Sequence, residues 1–160
     1  MKNKILRGFF AILTLAAITN ILPDNAIAGS KSASVDKVRD DFNTAFNAGN
    51  AISIARLIDR NGVWLPPGKP VMTGKENITA YYTAYFQKTN STIELKPGDI
   101  WVCEKWAFLS GDFIRMDTPK TGGGTSQVAG HYLFALKKQI NGAWKIARDI
   151  WNESGAPSKP

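Results

Sequence analysis

Gln127-Val128-Ala129-Gly130-His131-Tyr132-Leu133-Phe134-Ala135-Leu136-Lys137-Lys138 is followed, across Gln139-Ile140-Asn141-Gly142, by Ala143-Trp144-Lys145-Ile146-Ala147-Arg148-Asp149-Ile150-Trp151. Both runs are rich in β-branched and aromatic residues, and an Asn-Gly pair between two such runs is the strongest short-range signal of a hairpin. Upstream, Thr92–Lys96, Ile100–Glu104 and Trp106–Met116 read as further strands, and Thr121-Gly122-Gly123-Gly124-Thr125 as a loop joining two long ones. Before Asn90 the period changes. Val35, Val38, Phe42, Ala45 and Phe46 recur at three-and-four spacing and predict a helix over Ser34–Ala48, with Ser34 as N-cap and Gly49 as the stop. A shorter helix is expected over Ala51–Asp59, a turn at Asn61-Gly62, and a short strand Val63-Trp64-Leu65 ended by Pro66-Pro67-Gly68. A third helix, Lys75–Lys88, carries the stripe Ile78, Tyr82, Tyr85 and Phe86. Helices first and a strand meander afterwards predict an α+β domain, helices on one face of a mostly antiparallel sheet.

The N-terminus reads differently. Lys2, Lys4 and Arg7 precede an apolar run, Phe9–Ile18, then Pro23 and Ala26-Ile27-Ala28. This is the pattern of a secretory signal peptide cleaved after Ala28, and the run is much shorter than the roughly 20 residues that span a bilayer. The expected organisation is a signal over 1–28, one domain over 29–153 and a loose tail over 154–160, with export to a bacterial periplasm or beyond and no lasting membrane anchor. Cleavage removes three of the 20 basic residues and one of the 13 acidic ones, so the net charge of +7 falls to +5.

Composition narrows the function. The 160 residues are 44% hydrophobic with 17 aromatics, enough for a sizeable core. A single Cys, Cys103, excludes an intramolecular disulfide framework, and a single His, His131, excludes a His-rich metal centre. Lysines are scattered, with Lys137-Lys138 the only basic pair, so the clustered footprint of a nucleic-acid binder is absent. No metal or cofactor is expected. Cys103 reads as a small buried strand residue. Asn77-Ile78-Thr79, Asn90-Ser91-Thr92 and Asn152-Glu153-Ser154 fit the glycosylation pattern, which matters only in a eukaryotic secretory route.

Four segments in order carry a family likeness: Phe46-Asn47-Ala48-Gly49-Asn50, Gly62-Val63-Trp64-Leu65-Pro66-Pro67-Gly68, Val71-Met72-Thr73-Gly74-Lys75, and Gly142-Ala143-Trp144-Lys145-Ile146-Ala147-Arg148-Asp149-Ile150-Trp151-Asn152. On these the chain resembles the nuclear-transport-factor-2-like superfamily, in its ketosteroid-isomerase-like and polyketide-cyclase-like branch. The resemblance implies a cone-shaped roll, a curved sheet wrapped around three N-terminal helices, with a deep apolar pocket and frequent dimerisation through the outer sheet face. It does not imply one function, because this fold hosts isomerases, dehydratases, cyclases, hydrolases and assembly domains. Ketosteroid isomerases need an Asp base and an oxyanion site of Tyr plus a protonated Asp. The Tyr position, on the first helix, is here Phe42, and the segment that would hold the base, Trp64-Leu65-Pro66-Pro67, has no carboxylate. Nor does the sequence identify the third group, so steroid isomerisation by that mechanism is not expected.

Strand alternation puts Lys145, Ala147, Asp149 and Trp151 on one face of the last strand, and Trp144, Ile146, Arg148 and Ile150 on the other. His131 shares a face with Leu133 and Ala135. Two readings stand side by side. In one, His131 and Asp149 on adjacent strands form a general acid–base pair inside the pocket, making the protein a lyase, isomerase or hydrolase. In the other, Asp149 pairs with Arg148, Lys137 or Lys145 at the sheet surface and His131 is an ordinary strand residue. Trp64, Tyr82, Tyr85, Phe86, Trp106 and Trp151 are the expected pocket walls, and Asn152 either meets a ligand or caps the strand. The function expected is binding of a small apolar or aromatic molecule by an exported homodimer; a dimerising assembly module without a ligand is the remaining alternative. Intact mass of the chain recovered from a periplasmic extract should correspond to Gly29–Pro160; retention of residues 1–28 would refute the signal reading.

Overall fold

The computed structural model describes residues 24–154, with side chains from residue 32 onward. The signal segment up to residue 23 and the tail after Ser154 lie outside the described residues. Three helices and seven strands follow in the order α1 (Asp24–Asn47), α2 (Ala51–Leu57), β1 (Ile58–Leu65), β2 (Met72–Thr73), α3 (Lys75–Lys88), β3 (Thr89–Leu95), β4 (Ile100–Cys103), β5 (Trp106–Pro119), β6 (Ser126–Lys138) and β7 (Trp144–Ser154). The α+β class and the curved, mostly antiparallel sheet are as the sequence predicts. Helix α1 starts well before Ser34, at Asp24, and so runs through the expected cleavage junction. Helix α2 is shorter than expected: Ile58 and Asp59 already belong to β1, which also absorbs the Asn61-Gly62 turn.

The sheet runs β2-β1-β7-β6-β5-β3, with β4 also on β5. All pairs are antiparallel except β1 with β7. The predicted hairpin joins β6 to β7, its connection closed by Gln139 N donating to the Ala143 carbonyl and by the Asn141 side chain accepting from Ala143 N. The inner face of the sheet meets the helices over a core that includes Phe42 and Phe46 from α1, Ile78 and Tyr82 from α3, and Leu109, Phe134, Leu136 and Ile146 from the sheet. Burying apolar surface at about 25 cal/mol per Å² makes this interface the main stabilising term. Asn43 and Asn47, one helical turn apart, each exchange two hydrogen bonds with the backbone of β3, at Leu95 and Ile93, and so tie α1 to the edge of the sheet.

Two irregularities shape the interior. Opposite Ala135 and Leu136 of β6 stand Arg148 and Ile146 of β7, so Ala147 is an extra, unpaired residue: a β-bulge. Ile146 is buried on the inner face, and without the bulge strict alternation would put Arg148 and Ile150 there too. With it, the inner set after the bulge is Asp149 and Trp151, while Arg148 and Ile150 are exposed. The expected two-face division therefore holds only after Ala147; Trp144 and Ile146 are buried as well. The second irregularity is a close crossing. Lys96 N donates to the Asp112 carbonyl and Ser110 N to that of Asp99, drawing the β3–β4 connection over β5 at Gly111. A Cβ on Gly111 would stand 2.1 Å from the Lys96 carbonyl oxygen and 3.0 Å from the Tyr132 ring. Gly111→Ala is expected to cost about 2–3 kcal/mol in a urea titration; stability equal to wild type would refute the crossing.

Candidate functional site

Helices α1 and α3 and strands β5, β6 and β7 contribute aromatic side chains to one interior space. Phe42 and Phe46 sit four residues apart on α1, Tyr81, Tyr82 and Tyr85 on one side of α3, and Tyr132 and Phe134 alternate inward on β6. Phe42 packs edge to face on Phe134 at 5.4 Å between centroids, and Tyr132 lies tilted against Phe134 at 5.1 Å. Leu95, Ile93 and Phe113 complete the apolar wall, and Arg115, Asp149 and Trp151 the rest. The cavity is partly open and measures about 50 Å³. That is room for a few water molecules at about 10–15 Å³ of such space each, so a larger guest must displace half-buried walls such as Tyr81 and Trp151.

Asp149 is the polar centre. In register it lies between Trp64 of β1 and Phe134 of β6, two wholly buried residues, and is itself 5% exposed. Burial alone raises its pKa well above the usual carboxylate range; no charge or hydrogen bond from a neighbour counters it. Burial therefore favours the protonated form, which can donate a hydrogen bond, a role that apolar sites impose on carboxylic acids elsewhere. Tyr82 is also buried. Its hydroxyl accepts from Trp64 Nε1 at 3.1 Å, leaving its own proton for the cavity, and burial followed by the proximity of Asp149 raises its pKa well above normal. The Tyr132 hydroxyl donates to the Lys96 carbonyl, and burial pushes its pKa up to about 12.

A second polar group forms the rim. Arg115 Nε donates to Asp117 Oδ2 at 2.9 Å, and Asp117 Oδ1 accepts from the hydroxyls of Tyr85, at 2.5 Å, and Ser91. Burial works against the Asp117 charge, but the Ser91 and Tyr85 hydroxyls and then Arg115 outweigh it and hold the carboxyl below its ordinary range. Burial and the bond to Asp117 together push the Tyr85 phenol far up.

The His131–Asp149 pair is not formed. His131 points outward from β6, 65% exposed, with Nδ1 2.6 Å from Asp112 Oδ1 on β5. Residues 131 and 134 lie three apart on one strand, and Asp149 is opposite Phe134, so the two side chains fall on opposite sides of the sheet. Nor does Asp149 pair with Arg148, Lys137 or Lys145 at the surface. Of the expected walls, Tyr82, Tyr85 and Trp151 line the cavity; Trp64 stands behind Tyr82, and Phe86 packs behind Phe46 and Tyr82. Trp106 is 40% exposed at the far end of β5, and Asn152 Oδ1 accepts from the His131 backbone outside the cavity. Cys103, expected to be buried, is exposed. Among the described residues no three His, Cys, Asp or Glu side chains converge as a metal site would require. Phe42, Phe46, Phe113, Tyr132, Phe134 and Arg115 are lining residues that the sequence reading missed as such; the helical stripe of α1 marked the first two as core, while β5 and β6 gave no sign of which face was inner.

A family model of the SnoaL-like domain matches residues 39–145. No curated protein matches the chain in sequence. Among solved structures, the chain is similar to a ketosteroid isomerase-like protein from Erwinia carotovora atroseptica, at a TM-score of 0.73 and 23% identity over 79% of this chain and 98% of that one. It is also similar to a candidate scytalone dehydratase from Novosphingobium aromaticivorans (TM-score 0.72, 12% identity, 83% and 89% covered) and to a nuclear transport factor 2-like superfamily protein from Salmonella enterica (0.69, 14%, 86% and 99%). At these identities the likeness to solved structures is one of fold alone.

The raised pKa of Asp149 has a measurable consequence. Its native pKa lies above its unfolded one, so the native state holds the extra proton and stability falls as pH rises from about 4 towards the native pKa. Asp149→Asn removes that penalty. Its stability relative to wild type should grow with pH, by up to about 1.4 kcal/mol per unit, in urea titrations; a difference independent of pH would show Asp149 ionised in the native state.

Proposed function

The chain belongs to the SnoaL-like family, and from that premise we propose that it binds a small, largely apolar ring compound in the aromatic cavity, oriented by the Asp149 carboxyl. One observation carries this reading: a carboxyl 5% exposed, with no countercharge, faces a space walled by aromatic rings. A group so costly to bury is tolerated where a ligand supplies its partner. The Tyr82 hydroxyl, with the Asp149 carboxyl in the protonated form that burial favours, gives the cavity donors suited to a carbonyl or similar oxygen on the guest. The raised pKa of Asp149 also favours a second reading, in which it passes a proton to or from the guest in an isomerase- or lyase-type reaction; His131 takes no part.

We further propose that the mature domain works outside the cytoplasm as a homodimer, through the outer sheet face where Trp101, Met116 and Ile150 are exposed. Native mass spectrometry of detergent-free mature protein should give a dimer, and a mass lost on denaturation would identify the guest. Binding is read with N-phenyl-1-naphthylamine, an uncharged fluorescent aromatic. Ile93→Trp, at a partly buried lining position, should weaken it at least tenfold; wild-type protein that fails to bind the probe, or binds it equally in the variant, would sink the cavity reading.

A further inference from the structure

We infer that Arg115 selects the guest of this cavity, and that the guest is an aromatic or alicyclic compound bearing one oxyanion, of carboxylate or enolate type, which replaces Glu153 on the guanidinium. The inference rests on the proposed cavity function and adds the chemistry of the ligand to it. Arg115 is the only cation among the lining residues, and its side chain is 19% exposed. Its two edges are engaged very differently. Nε is fixed on Asp117 Oδ2 at 2.9 Å, and Asp117 is in turn held by the Tyr85 and Ser91 hydroxyls, so this edge is already engaged. The other edge has only Glu153 Oε1, 3.5 Å from Nη2, on a side chain that is 42% exposed. Such a long contact to a solvated carboxylate is weak and easily exchanged.

Glu153 occupies the place an incoming oxyanion would take. It lies two residues beyond Trp151 on β7, the same side of the strand as Asp149 and Trp151, and thus at the rim. An oxyanion entering the cavity exchanges one carboxylate for another on a guanidinium already oriented, at little entropic cost. The only carboxyl among the lining residues is Asp149, and its burial favours the protonated form, which does not repel an anion. Asp117 accepts from three donors and so stays on the Nε edge, away from the edge that Glu153 holds.

The test compares two probes with the same aromatic body: N-phenyl-1-naphthylamine, uncharged, and 1-anilinonaphthalene-8-sulfonate, which adds one oxyanion. Arg115→Gln should lower the ratio of sulfonate to neutral affinity about tenfold. Glu153→Gln, a change at an exposed rim position, should raise the same ratio two- to threefold by removing the competing carboxylate. A ratio within twofold of wild type in Arg115→Gln, or parallel loss of both probes from a variant with a native circular dichroism spectrum, overturns the inference while leaving the cavity reading intact. Should Arg115→Gln not fold, Glu153→Gln decides alone, and an unchanged ratio overturns the inference. A wild-type protein that binds neither probe removes the cavity reading and this inference together.

Discussion

The single unpaired residue Ala147 sets what the interior of this protein contains. Two runs of inward residues must be satisfied on β7: Trp144 and Ile146, which pack under α1 and α2, and Asp149 and Trp151, which face α3. They differ by an odd number of positions, and a regular strand can present only one parity to one side. The bulge reconciles them. It also adds local twist, which helps the long strands β6 and β7 curl around the helices. Without it, either Trp144 and Ile146 would be turned to solvent, or the carboxyl would, with Arg148 entering the core in place of Asp149.

Once inside, two carboxyls a few strands apart meet opposite fates for the same physical reason. Both are desolvated, and desolvation opposes charge. Asp117 has a guanidinium and two hydroxyls aimed at it, so its charged form prevails. Asp149 has Trp64 and Phe134 on either side in the sheet and no donor, so its neutral form is favoured. The cavity thus offers a buried carboxyl deep inside and a fixed cation at the rim. This pairing is chemically more specific than the aromatic walls alone, which any apolar guest would satisfy.

His131 shows how closely sequence reasoning approached the cavity and why it stopped. Asp149, which lines the cavity, was singled out, but its expected partner stands on the other side of the sheet. The outward placement of His131 follows from Tyr132 and Phe134 being buried, and in sequence Leu133 and Ala135 are equally good candidates for the inner face. When both faces of a strand are apolar, alternation fixes that neighbours differ, not which of them is inside. Trp106 was misplaced on the same ground, since aromatic character marks a residue as worth burying and says nothing of direction.

The order of elements, the bounds of α3 and the β6–β7 hairpin follow from local chemistry: apolar periodicity, β-branched and aromatic runs, and an Asn-Gly turn act over a few residues and are written in the chain itself. That Phe42 offers no hydroxyl and the Trp64–Pro67 segment no carboxylate is equally a property of the sequence. The bulge at Ala147, the inner face of β6 and the meeting of Arg115 with Asp117 and Glu153 belong to the tertiary structure. Each depends on the register of one strand against another and on which helix covers which face, choices made by the burial of the whole core, which no window along the chain contains.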